Sequence, residues 1–175
     1  MSETRVDPTV AGLFLIGFLT LVFGIAGIQM FNSGTSDLLD AAGFLIAPIA
    51  LVILIFAYMA GKAGNAFAVA LFAYIAITLF GASQFLGNEP MLFYLVAVFY
   101  VIFAIVAFII GAPKLLGILL ILVAFIFLFM GFMFAVMGSG DTEPYAIAFG
   151  LFGVLSFFVA TYMAIALATQ KFPVF

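Results

Sequence analysis

Hydrophobic runs of about twenty residues, broken by short polar turns, occupy the chain almost from end to end. They cover roughly 11–30, 41–60, 66–86, 91–110, 115–137 and 145–168. An α-helix rises about 1.5 Å per residue, so about 20 mainly apolar residues cross the hydrocarbon core of a bilayer. The pattern therefore predicts six transmembrane helices. The breaks carry the residues that stop and start helices. Asn32 to Asp37 is polar, and Gly61-Lys62-Ala63-Gly64-Asn65 closes on a residue suited to cap the next helix. Gly87-Asn88-Glu89-Pro90, Gly111-Ala112-Pro113-Lys114 and Gly138 to Pro144 each set Gly behind one run and Pro ahead of the next. Turns this short make consecutive helices antiparallel neighbours. Residues 1–175 are expected to form a single domain, an all-α integral membrane protein built as a bundle of six transmembrane helices. Met1 to Asp7 lacks the basic start of a secretory signal, so the first run is expected to be a retained span.

Composition strengthens this reading. Only 6% of the residues are charged and 69% are hydrophobic, against about 25% charged in soluble domains, so much of the surface must face lipid. The chain has no Cys and no His, which excludes disulfides, thiolate nucleophiles, imidazole bases and the commonest metal ligands. No enzymatic constellation, cofactor site or metal site is expected. A pI of about 4.4 argues against nucleic acid as a partner.

The few charges sort by side. With six spans, both termini share one side with the second and fourth loops, and Arg5, Lys62, Lys114 and Lys171 all fall there. Asp37, Asp40, Glu89, Asp141 and Glu143 fall on the other, with no Lys or Arg. The positive-inside rule then places both termini in the cytoplasm of a multi-pass plasma-membrane protein.

No Asp, Glu, Lys or Arg lies within a span. Proton pumps and voltage sensors keep ionisable groups at membrane depth, so a charge-relay mechanism is disfavoured. A solute path here has hydroxyls, helix termini and apolar constrictions to work with. Small and polar residues recur at helical spacing: Ala66, Ala70, Tyr74 and Thr78; Gly12, Thr20, Gly24 and Gly27, with Gly17 nearby; and Gly153, Ser156, Ala160, Ala164 and Ala168. Each stripe suits close helix packing, and each also suits a pore lining. Asp7-Pro8-Thr9 and Asn65 read locally as helix caps, and Pro48 as a kink in the second helix.

The order of these landmarks resembles the acetate uptake transporter family. Asp7-Pro8-Thr9-Val10-Ala11-Gly12-Leu13 is similar to that family's Asn-Pro-Ala-Pro-Leu-Gly-Leu opening, with Asp7 and Val10 departing from it. Gly64-Asn65-Ala66-Phe67, followed by Phe72 and Tyr74, is similar to its Gly-Asn-Thr-Phe start of the third helix. Lys114-Leu115-Leu116 corresponds to the basic turn before the fifth helix. Ala160-Thr161-Tyr162 and Phe172-Pro173-Val174 match the last helix and the segment after it.

The resemblance implies a homo-hexamer with a solute path through each protomer and a narrow apolar constriction between the first, third and fifth helices. By position, the constriction falls on Ile16, Val123 and Tyr74, or Ile75 because Tyr74 arrives one residue early. The candidate path comprises Asp7, Pro8, Thr9, Gly12, Leu13, Thr20, Asn65, Phe67, Tyr74 and Thr78. The expected function is a channel or transporter for acetate and similar small monocarboxylates, crossing as the neutral acid or with a proton. A channel for ammonia, urea or water, and a non-transporting scaffold subunit, are the alternatives. The lipid bilayer and a small carboxylate are the expected partners.

Overall fold

The structure, a computed structural model, describes residues 8–34, 37–85, 89–136, 142–170 and 173. It is all-helical, with six helices: α1 Pro8–Ser33, α2 Asp37–Lys62, α3 Ala66–Phe85, α4 Pro90–Ile109, α5 Lys114–Val136 and α6 Glu143–Thr169. Five are long and apolar enough to cross a membrane, with mean hydropathy between 2.1 and 3.0; α3 is a shorter apolar helix over Ala66–Gly81. Helices α1, α2 and α6 run past their apolar stretches at both ends because helical geometry continues into the polar caps. Asp37 and Leu38 open α2 ahead of its apolar run, and α1 continues through Asn32 and Ser33, where the Ser33 hydroxyl donates to the Gln29 carbonyl at 2.8 Å. Helix α2 continues through Pro48, which sits on its exposed face.

Two turns show why short Gly-containing connections suffice. Gly64 and Gly111 adopt φ of 78° and 70°, a left-handed conformation that costs Gly nothing sterically. Behind them the Asn65 N–H reaches back to the Ala60 carbonyl at 3.0 Å, and the Ala112 N–H to Ala107 at 2.9 Å. These are Schellman closures, and they satisfy carbonyls that the helix ends leave open.

The helices pack in chain order around a ring. The closely packed pairs are α1–α2, α2–α3, α4–α5, α5–α6 and α1–α6, so the last helix returns to the first. Two kinds of contact hold it. At α1–α6 backbone meets backbone: a Cβ built on Gly27 would lie 2.6 Å from the Gly150 nitrogen, and one on Gly153 2.6 Å from the Gly24 nitrogen. Only residues without a side chain permit that approach. The small-residue stripes of the first and last spans thus include a packing face. At α4–α5 an aromatic fills a notch, with Tyr94 lying over Gly131. The α3–α4 seam is different. It is bridged by the Tyr74 side chain, whose hydroxyl donates to the Val96 carbonyl at 3.2 Å and whose ring packs on Phe99, Tyr100 and Phe103.

Candidate functional site

None of the pairs α1–α3, α3–α5 or α1–α5 is closely packed, and a cavity of about 390 Å³ fills the space between them. It begins where the α2–α3 and α4–α5 connections lie side by side, at exposed Asn65 and Gly111, with Thr9 and Pro113. It ends among buried Phe23, Leu79, Ile126 and Phe127. From Thr9 to Phe23 it follows α1 for about 21 Å at about 1.5 Å per residue, most of a hydrocarbon core about 30 Å thick.

Its wall is apolar with four polar groups, Thr9, Thr20, Asn65 and Tyr100, and no charged side chain is among its lining. Asn65 stands at the mouth as the cap of α3. Its side-chain oxygen accepts the Ala68 N–H at 3.0 Å, so the group it can offer a solute is its amide N–H₂. Thr20 is deeper and 4% exposed; its hydroxyl donates to the Gly17 carbonyl at 2.9 Å, which leaves its oxygen as an acceptor. Tyr100 is buried near the inner end, its ring stacked on Phe127. Among the described residues no group of three or more His, Cys, Asp or Glu comes together. What this wall can do chemically is offer a few hydrogen bonds and impose a size.

The structure gathers many of the residues singled out in the sequence. Thr9, Leu13, Ile16, Thr20, Asn65, Phe67, Ile75 and Val123 all line the cavity. Gly12 lies against it from behind, where the Phe72 ring occupies the place a Cβ would take. Pro8 opens α1 outside the lining, and Asp7 lies outside the described residues. Tyr74 is turned away towards α4, so of the two neighbours it is Ile75 that faces the cavity. One residue on a helix is a rotation of about 100°, enough to exchange an inward for a sideways direction. Thr78 faces a second, smaller cavity. In the α3 stripe Ala66 and Ala70 are exposed, so that stripe is not one buried face.

Sequence reasoning passed over Leu71, Leu79, Tyr100, Phe127 and Met163, which also line the cavity. For Tyr100 a signal existed. Phe93, Ala97, Tyr100, Ala104 and Ala107 recur at three- and four-residue spacing as the buried face of α4, and Tyr100 alone among them carries a hydroxyl. Compared with protein-family models, with curated proteins and with solved structures, the chain has no match in any of the three.

Proposed function

We propose that the chain is a plasma-membrane protein that passes acetate and similarly small monocarboxylates through each protomer of a homo-hexamer, with both termini in the cytoplasm. The observation that carries this reading is the long cavity between α1, α3 and α5, lined by hydrogen-bonding groups but by no charge. An unpaired carboxylate in such a place loses hydration worth at least several kcal/mol in real proteins. Protonating a carboxylic acid of pKa about 4.3 at pH 7 costs only about 3.7 kcal/mol, at about 1.36 kcal/mol per unit. The neutral acid is therefore the favoured species. Its carbonyl can accept from Asn65 at the mouth, and deeper in the cavity its O–H can donate to Thr20. The orientation is supported by the basic residues on one side, and the hexamer and the substrate by the resemblance of the helix-opening motifs.

A neutral solute such as urea or ammonia meets the same wall with equal ease, so the test compares them. Purified protein in liposomes is given labelled acetate, urea and methylammonium at two external pH values, with the membrane potential clamped. Acetate flux above that of empty liposomes, falling about tenfold per pH unit above the acid's pKa, is expected. Acetate flux equal to the protein-free background refutes the reading. Urea flux alone assigns the path to neutral solutes, and no flux of any of the three leaves a scaffold.

A further inference from the structure

The long cavity stops inside the bundle, and the second cavity begins on the other face of the same wall. The second holds about 270 Å³ and lies along the α3–α4 seam, lined by Thr78, Gly81, Phe93 and Val96, with Glu89 at its outer end. Among the described residues, Phe127 is the one that lines both. Its ring is 4% exposed and stacks on Tyr100, with centroids 5.4 Å and planes 11° apart. Tyr100 lines the first cavity and Thr78 the second. The Phe127 ring thus borders both cavities and is braced on Tyr100.

We infer that Phe127 is the gate of the protein: its ring separates an Asn65-end vestibule from a Glu89-end vestibule and sets the size of whatever crosses. It lies one helical turn beyond Val123, where the first cavity runs out. An apolar ring at a narrow point excludes water and ions until it moves aside, and rotamer changes of this kind need no backbone rearrangement. Glu89 at the outer vestibule disfavours an anion approaching from that end, in keeping with a neutral solute. The inference rests on the passage reading in that it takes the two ends to communicate, and it assumes no particular solute.

The chain has no cysteine, so single cysteines report access without background. Ile16→Cys probes the first vestibule. Gly81→Cys probes the second, where a built Cβ meets nothing within 4 Å. A membrane-impermeant thiol reagent is applied separately to each face of oriented vesicles. With Phe127 present, Ile16→Cys is expected to react from the Asn65 side only and Gly81→Cys from the Glu89 side only. Adding Phe127→Ala is expected to raise the rate from the opposite side at least about tenfold for both, a lowering of the barrier by about 1.4 kcal/mol. Phe127→Leu, which keeps an apolar side chain in the core, is expected to give a smaller rise and decides the question if the alanine variant does not elute as a folded species.

Opposite-side rates unchanged in the folded variants, or both cysteines reactive from both sides with Phe127 in place, overturn the gate. Acetate flux measured in the same vesicles separates the two ideas. Gated labelling without acetate flux overturns the acetate reading and keeps the gate, and acetate flux with ungated labelling does the reverse.

Discussion

Replacing Gly153 by Ala adds one methyl group at the tightest crossing in the bundle. The added Cβ would lie 2.6 Å from the Gly24 nitrogen, 2.7 Å from its Cα and 2.8 Å from the Thr20 carbonyl oxygen, where ordinary contact begins at 3.4 Å. All three obstacles are backbone atoms, so no rotamer change relieves the clash and α1 must part from α6 by roughly 0.8 Å. A gap of about 0.5–1 Å forfeits a quarter to a half of each dispersion contact along the face. Overpacking a well-packed interior typically costs about 1–3 kcal/mol, and a clash that only helix displacement can relieve belongs near the top of that range, about 2–3 kcal/mol. At about 2–4 °C per kcal/mol for a chain of this size, the melting temperature falls by about 4–12 °C. Gly81→Ala is the matched control: the same methyl group, on a helix, with nothing within 4 Å. It is expected to be neutral or to stabilise by up to about 1 kcal/mol through helix propensity. Both variants are melted in detergent and followed by helical circular dichroism. Melting temperatures of the two within about 2 °C of each other would refute backbone contact as what joins α1 to α6.

Tyr74→Phe removes the hydroxyl's bond to Val96 and is expected to cost about 0.5–1.5 kcal/mol with solute flux unchanged, whereas Ile75→Phe thrusts a ring into the cavity. That neighbouring change should lower flux about tenfold, or about 1.4 kcal/mol of added barrier, in the liposome assay; the reverse pattern would show that Tyr74 faces the path. Asn65→Ala deletes the cap on Ala68 and is expected to destabilise by about 1 kcal/mol, read as a melting shift of about 2–4 °C, with Asn65→Asp restoring it. Ser156 is fully buried and its hydroxyl has no hydrogen-bond partner among the described residues, so Ser156→Ala is expected to leave stability unchanged or raise it by about 1 kcal/mol. A lower melting temperature for Ser156→Ala would show that the hydroxyl is satisfied after all.

The six helices were legible because hydropathy and punctuation agree: Gly64 and Gly111 end helices and Pro90 begins one where the apolar runs break. Asn65 as a cap was equally local, since its side chain and the N–H it accepts are three residues apart. Direction across a helix was not legible. Tyr74 and Ile75 differ by about 100° on a helix, and hydropathy alone does not say whether the polar-tipped ring or the aliphatic chain faces inward. In a membrane helix both faces are apolar, so the usual contrast between a buried stripe and a wet one is lost. The Phe127–Tyr100 pair was hidden for a related reason. Phe125, Phe127, Phe129 and Phe132 lie within eight residues of α5, and only the fold tells which of these rings stacks on α4's Tyr100.

Because α6 closes the ring on α1, the order of synthesis matters for how the protein is made. Gly24 and Gly150, which meet across that contact, are about 125 residues apart in the chain. At translation rates of about 5–20 residues per second, the glycine face of the first helix waits on the order of 6–25 s before its partner exists. Throughout that interval the face has only lipid or the insertion machinery to lie against. Truncation before α6 would leave that face permanently without its partner. Helix α1 is therefore made well before its closing partner, and the ring is completed only once α6 has been made.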